Sequence, residues 1–421
     1  MEENVNRREQ LFELMDENSA AVIFAGQAKV ASEDENLPFL ANRHFFYLTN
    51  IEQEHSILLL IKGIGVKKTY LFIDEYNEVY EKWYGRTLTN AEASELSGIS
   101  SVYSTKDFDT IISMALAKDN NQYGNIHSLY LDLSPEIKIK KQTSTVEFAK
   151  EIEEKYPHIQ VGNIYEFITM LRTKKSPYEV ECLKNAISLT NLGLLDLINF
   201  LKPGRYEYEL SNRFEFFGRE HDRSELSFST ICAAGKNAVV LHYPVQIQNS
   251  KVNDNELVLF DLGFAHKGYS ADITRTYPSN GVFTDIQKKV YQAVLNCNKA
   301  VIEYIHPGLT LKDLQDFTLE FIKNECVKAN LLKPEDDIRS VYYHNISHFL
   351  GLDTHDCGDR SRPLEPGNVI TVEPGLYFKS LGIGVRIEDD VLVTESGAEV
   401  LSKDIAKEIS DVEKLFKSRR I

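Results

Sequence analysis

Residues 256–264, ELVLFDLGF, form a nearly unbroken apolar run with one carboxylate, Asp261, inside it. The run is bounded upstream by the polar stretch NSKVNDN and downstream by His266, Lys267 and Gly268, which is turn chemistry. Residues 269–277, YSADITRTY, then alternate in polarity, are rich in Tyr, Thr and Ile, and carry a second carboxylate, Asp272. The segment therefore reads as a β-hairpin. With a short, even loop, Asp261 and Asp272 lie opposite each other on one face, their Cβ atoms roughly 4.5–5.5 Å apart. Like charges there repel, and burying either without a partner costs on the order of several kcal/mol. Either this hairpin is solvated or something positive sits between the aspartates.

The chain contains a faint second copy of this arrangement. LKPGRYEYEL at 201–210 resembles IHPGLTLKDL at 305–314, a period of about 104 residues. Each stretch ends one helix at a Pro-Gly turn and begins another. Each also precedes a pair of strands bearing two carboxylates: Asp261 and Asp272 first, then Glu373 and Glu388 in TVEPGLYFKSLGIGVRIEDDVLV, with fourteen residues between the two glutamates. The pattern predicts two duplicated α/β halves facing each other across a pseudo-twofold axis, with four carboxylates pointed into one cleft.

Upstream of this region, apolar runs (SAAVIFAG, FFYLTNI, SILLLIKG, TYLFID and LYLDLS) alternate with helical patterns near residues 5–17, 107–117 and 144–155. That is an α/β domain without a Gly-rich phosphate loop. A boundary is expected at LRTKKSPYEVE, where a basic turn and Pro177 open a long helix to about Phe200. The predicted domains are residues 1–170 and 171–421. A formal charge of −16 over 421 residues argues against a nucleic-acid partner. The five cysteines are scattered with no CxxC pair, as suits reduced thiols, and no apolar run reaches the roughly 20 residues of a membrane span. The charged opening segment begins a helix rather than a signal peptide, so the expected setting is cytoplasmic, with no membrane partner.

Between the halves, YYHNISHFLGLDTHD (342–356) places His344, His348 and His355 within twelve residues. A single histidine in an apolar run is usually a satisfied core residue; three this close, beside Gly351, are placed for a site. The ordered set Asp261, Asp272, His348, Glu373 and Glu388 resembles the five metal ligands of the pita-bread metallopeptidases, the family of methionine aminopeptidase, prolidase and aminopeptidase P. The wording FDLGF, YSADITRTYP, SHFLGLDTHD, TVEPGLY and VRIEDDVLV carries the resemblance across most of residues 175–405. RREQLFELM and NRHFFYLTN resemble the creatinase-like (RNase H-like) amino-terminal domain of the proline-directed members, so the likeness spans nearly the whole chain.

The resemblance implies two divalent ions. Four carboxylates carry four negative charges that two such ions balance, and a pair roughly 3.5–4 Å apart can hold a bridging hydroxide near neutral pH. Oxygen-rich ligation with one imidazole favours Mn²⁺, with Co²⁺ and Zn²⁺ as competitors. By likeness, Asp261 chelates one metal, Asp272 and Glu388 bridge both, and His348 completes the second. Glu373 is terminal and relays the proton of the nucleophile to the leaving amine. His242 in VVLHYP, His344 and His355 line the substrate pocket, with His355 and His242 on the substrate carbonyl or tetrahedral intermediate. Arg386 belongs to the same neighbourhood, as an ion pair offsetting carboxylate charge. Tyr377 could hydrogen-bond near the site or simply pack.

The implied activity is hydrolysis of the amino-terminal Xaa-Pro bond of peptides by a homodimer. In one departure from many relatives, residues 244–256, PVQIQNSKVNDNE, lack the HY-x-E-N wording after His242. A prolidase shares fold and ligands and differs in cleaving only dipeptides. A methionine aminopeptidase would lack the amino-terminal domain, and a creatinase-type hydrolase works without metals. A non-enzymatic scaffold on this fold would have lost ligands, and all five positions here are competent.

Overall fold

The computed structural model describes residues 2–33, 35–118, 122–133, 144–221 and 225–418. The chain forms two compact units, Met1–Arg172 and Thr173–Ile421.

The first unit opens with α1 (Glu2–Leu14) and is built on strands β1 (Ser19–Phe24), β4 (Ile57–Gly63), β5 (Val66–Ile73), β6 (Val102–Ser104), β7 (Ser128–Leu131) and β8 (Gln160–Asn163), with a small hairpin, β2 (Val30–Ser32) and β3 (Glu35–Asn36), to one side. The sheet order is β6-β5-β4-β1-β7-β8; β4 is antiparallel to both its neighbours and the outer pairs are parallel. ILLLIKG of β4 is buried along its whole length, which explains its unbroken apolar reading. Val22, Leu59, Phe72, Phe108, Leu116 and Leu129 belong to one core cluster. Helices α2 (Arg43–Thr49), α3 (Glu78–Tyr84), α4 (Asn90–Ser97), α5 (Phe108–Leu116), α6 (Ser144–Lys155) and α7 (Tyr165–Thr173) complete the element order.

FFYLTNI, grouped with the strand-like runs on apolarity, is a helix here. The Asn42 side chain accepts from the amides of His44 and Phe45, and Asn50 ends the helix in the left-handed conformation. Capping at both ends overrides a run too short for its period to be read. Ser134, the last residue of LYLDLS, lies outside the described residues.

The second unit repeats an order of elements. Helices α8 (Pro177–Phe200) and α9 (Glu207–Glu220) precede strands β9 (Ile231–Ala234), β10 (Leu257–Leu262), β11 (Ala265–His266), β12 (Tyr269–Ser270) and β13 (Ile273–Pro278). Helices α10 (Asp285–Tyr304) and α11 (Leu311–Lys328) precede β14 (Val369–Val372), β15 (Gly375–Phe378), β16 (Ile383–Arg386), β17 (Asp389–Thr394) and β18 (Gly397–Val400); α12 (Ile409–Lys417) follows. Each half has a three-stranded sheet, β13-β10-β9 or β14-β17-β18, and a separate two-stranded hairpin, β11-β12 or β15-β16.

The two Pro-Gly turns match in backbone as well as in wording. Gly204 and Gly308 have φ of +96° and +97°. Such a φ suits glycine, so the duplication is written into the turn chemistry. Thr310 and Asp313 form a capping box at the start of α11, and at α9 the Tyr206 amide donates to Glu209 Oε2 at 2.8 Å.

Candidate metal centre

Asp261 lies in β10 and pairs with Thr274, not with Asp272. The hairpin tip is Lys267-Gly268, both at positive φ, which fixes His266 opposite Tyr269. This tip sits one residue later than direct pairing of the aspartates would require, so the register shifts by two. A shift of two preserves the face, and Asp272 becomes the diagonal neighbour of Asp261. Opposite Asp272 stands Gly263, where a Cβ would lie 1.9 Å from the Ala271 carbonyl oxygen. The strands approach there more closely than any side chain allows.

In the second half, Val372 pairs with Asp389 and Gly375 with Arg386. This common register leaves Glu373 opposite Glu388, in the gap between the two ladders. His348 comes from a segment running along the free edge of β14: the Thr371 amide donates to the His348 carbonyl (3.0 Å), and the His348 amide donates to Thr371 Oγ1 (3.2 Å).

The five expected ligands converge. Donor atoms of Asp261, Asp272 and Glu388 lie within 4.8 Å of one another, as do those of His348, Glu373 and Glu388, and those of Asp272, His348 and His355. His348 Nε2 is 3.4 Å from Asp272 Oδ2 and 3.6 Å from Glu373 Oε1. Its Nδ1 is 3.0 Å from the Phe349 carbonyl, which fixes the ring and turns Nε2 toward the carboxylates.

Charge dominates this cluster. Burial pushes the Asp261 carboxyl up to about 6 even though Arg386 opposes it, and Asp272 adds to the rise. Burial likewise pushes Glu373 up to about 7 and Glu388 well above the carboxylate range. Burial disfavours a charged His348, but contact with Asp272 outweighs it and lifts the imidazole to about 9. The cluster demands positive charge, from protons or from cations. Asp261 Oδ1 is also buried without a hydrogen-bond partner. Oxygen-rich donors, mutual repulsion and an orphaned carboxylate oxygen together fit divalent cations.

Arg386 supplies part of the compensation. It is buried, with one terminal nitrogen 2.5 Å from Asp261 Oδ2, Nε 2.9 Å from Thr274 Oγ1 and the other terminal nitrogen 3.2 Å from the Tyr377 hydroxyl. Thr274 in turn donates to Glu388 Oε2 at 2.6 Å. His344 Nε2 is 2.8 Å from the Tyr377 hydroxyl and its Nδ1 is 3.7 Å from Glu373 Oε2. Burial, with Arg386 nearby, lowers His344 to about 3, so it is neutral.

A cavity of about 410 Å³ opens above the aspartates and is lined by Phe228, Ile231, His242, Tyr243, Asp261 and His355, among others. His242 and His355 thus stand on its wall, the latter with its ring centroid 4.2 Å from that of His348. His344 sits on the Glu373 side of the cluster and Arg386 lies beneath it. A cleft of about 640 Å³ in the first unit is larger. Its acidic groups are engaged: Asp74 with His55 and Thr105, Glu54 with the Ala28 amide, and Glu52 with the Ala41 amide. The smaller cavity is the one with unsatisfied chemistry.

Sequence reading missed Thr274, which shares a face with Asp272 at strand period two, and Asp390, two positions beyond Glu388, whose carboxylate accepts from the Asp272 amide at 3.2 Å. Both follow from alternation along strands whose ends were already marked by a candidate ligand.

Residues 181–395 match metallopeptidase family M24, and residues 5–123 match the aminopeptidase P amino-terminal domain. A Haemophilus influenzae Xaa-Pro aminopeptidase is 34% identical over 99% of this chain and 97% of its own length. A zinc-substituted E. coli aminopeptidase P in complex with product superimposes with a TM-score of 0.90 at 29% identity, covering 100% of this chain and 99% of that one. A Bacillus anthracis structure proposed to be an aminopeptidase P gives a TM-score of 0.95 at 38% identity, covering 100% and 99%.

Proposed function

The chain belongs to metallopeptidase family M24, and from that premise we propose that it removes the first residue of peptides with proline second, using a centre that holds two divalent ions. It is a metallo-exopeptidase of the Xaa-Pro aminopeptidase kind, with an aminopeptidase P type α/β unit followed by a pita-bread unit. The observation carrying the finer reading is the convergence of Asp261, Asp272, His348, Glu373 and Glu388 in one cluster, with Asp261 and Asp272 lining an open cavity.

Bound there, two divalent ions supply charge compensation and a water acidified enough to attack near neutral pH. Asp261, Asp272, His348, Glu373 and Glu388 would hold them, with Mn²⁺ favoured by the oxygen-rich set. The side chain of Glu373 is the most open of three whose exposure decides the role: 18% against 12% for Asp261 and 7% for Asp272. Glu373 is therefore the group to carry a proton to the leaving imide nitrogen. His242 and His355, on the cavity wall, orient the scissile carbonyl and donate to its oxygen as charge develops. His344, held neutral against Tyr377, and Arg386, locked to Asp261, orient the carboxylates. An Xaa-Pro bond has no N–H and a fixed φ, so a wall of apolar and imidazole faces suits it better than a hydrogen-bonding groove.

We read the functional boundary at residues 170–171 and the protein as a cytoplasmic homodimer without a nucleic-acid or membrane partner. Among the described residues no helix is long and apolar enough to cross a membrane. Light scattering on the purified chain tests the dimer.

The test of function uses protein stripped of metal and reconstituted with Mn²⁺, given Xaa-Pro and Xaa-Pro-Yaa-Yaa peptides of matched first residue. Release of the first amino acid from the longer peptide, with two ions bound per chain, is the expected result. Cleavage of the dipeptide alone would make it a dipeptidase, and one ion per chain would overturn the two-ion reading.

A further inference from the structure

Outside the metal cluster, the second unit buries another carboxylate, Glu207, at the first position of α9 and 0% exposed. Its two oxygens face four groups. Oε1 accepts from the Ala234 amide (2.8 Å) and from Asn237 Nδ2 (2.9 Å); Oε2 accepts from the Ser250 amide (3.0 Å) and faces the Tyr243 hydroxyl (3.1 Å). The Tyr243 hydroxyl also lies 2.8 Å from the Ile247 carbonyl, so its single proton is shared between the two acceptors. The Glu207 amide donates back to the Ser250 carbonyl at 3.0 Å. Among the described residues no lysine, arginine or histidine forms an ion pair with it. Hydrogen-bond donors and the amino-terminal end of α9 surround it instead.

The donors share one feature. Ala234 ends β9, the strand paired with β10 beside Asp261, and the others belong to the connection from 235 to 250. That connection has no ladder of its own, only two short 3-10 turns, Gly235–Val239 and Val245–Ile247. It carries exposed His242 and buried Tyr243, both on the cavity wall. Tyr243 packs in one cluster with Ile231, Ala233, Leu259 and Tyr377. Glu207 gathers the start, the middle and the end of the connection onto one rigid helix end.

The internal repeat indicates that the fold does not itself require this carboxylate. Glu207 lies three residues after Gly204, and the corresponding position after Gly308 is Leu311, a buried apolar residue. The second half builds the same helix start without a carboxylate at that position.

We propose that Glu207 is a positioning residue for substrate: through the 235–250 connection it sets where His242 stands relative to the metal carboxylates. This rests on the reading of His242 as a substrate contact. Glu207→Gln keeps the shape but turns one acceptor oxygen into a donor facing donors, which shifts the connection and leaves the five ligands in place.

The experiment is a double-mutant cycle on the Mn²⁺-loaded full chain with an Xaa-Pro-Yaa-Yaa peptide: wild type, Glu207→Gln, His242→Ala and both together. Expected is a fall in kcat/KM of roughly tenfold for Glu207→Gln, carried mainly by KM, with bound metal unchanged and little further loss when His242 is already alanine. Equal losses in both backgrounds, or wild-type kinetics for Glu207→Gln, would overturn the proposal. If His242→Ala alone has wild-type kinetics, the reading of His242 falls, whatever Glu207→Gln does. Should Glu207→Gln not fold, Tyr243→Phe, which deletes one hydroxyl, enters the same cycle with the same criteria.

Discussion

At the scale of residues, the cluster separates groups that hold charge from groups that aim it. Asp272 faces His348 and, among the described residues, pairs with no lysine or arginine. Asp272→Asn removes one negative charge and one ligand oxygen, so kcat/KM is expected to fall by roughly a thousandfold or more, with metal content reduced and the far-ultraviolet dichroism unchanged. Retained peptidase activity would refute the assignment. Thr274 is subtler. Its hydroxyl donates to Glu388 and accepts from Arg386, so it keeps a carboxylate and a guanidinium in register. Thr274→Val preserves the strand and removes both bonds, each worth about 1.5–3 kcal/mol when the partner is charged. A drop in kcat/KM of roughly tenfold is expected, and unaltered kinetics would show that the Thr274 hydroxyl does not position Glu388. The sequence marked the five clustered positions because four are carboxylates in or beside strand-like runs and the fifth stands in a run with three histidines. Thr274 was not, since a threonine in a strand is ordinary whether or not it bonds a ligand.

At the scale of elements, register determines which side chains meet, and register was only half legible. Alternation fixed the face of Asp261 and Asp272, because a slip of two cannot change it. Their offset depends on the tip, and Lys267 at positive φ is an unusual residue there, so the sequence did not announce which pair of residues turns the chain. The His348 segment was legible as a site but not as an edge partner of β14, since it forms only the isolated bridge Phe349↔Ile370 and three histidines interrupt any strand pattern. Helix starts are written more plainly in the chain: Ser176 with Glu179, Thr284 with Gln287 and Thr310 with Asp313 are capping boxes. The close approach at Gly263 gives this scale its prediction. Gly263→Ala drives a methyl into the Ala271 carbonyl and should cost about 1–3 kcal/mol by overpacking. Because Ala271 adjoins Asp272, bound metal should fall along with the melting temperature. A variant that is destabilised but fully metallated would show that the strand yields at some other point.

At the scale of the whole molecule, four buried carboxylates gathered in one unit make its stability depend on what neutralises them. Glu373 is raised to about 7, Glu388 and Asp390 are raised further, and His348 is raised to about 9. In the metal-free folded chain each of these holds a proton that the unfolded chain has released above its ordinary carboxylate or imidazole range. Stability therefore falls as pH rises from about 6.5 to 9, by about 1.4 kcal/mol per pH unit for each group still protonated. His344 does not oppose this, because above its ordinary value it is neutral in both states. Melting temperatures in chelator should decline across that window, and saturating Mn²⁺ should remove most of the decline by replacing the protons. Equal slopes with and without metal would mean that the cluster is not where the ions bind. Location can be tested independently, since every proposed ligand lies in residues 173–418 and the first unit has its own sheet and core. Ions present at about 100 times their dissociation constant add about 2.7 kcal/mol to whatever opens the site. Hydrogen exchange with and without Mn²⁺ should show protection gained in β10, β13, β14 and β17 and none in β1, β4 and β5. Equal protection of both units would mean that the ions bind to the first unit as well, or that opening the site requires unfolding the whole chain.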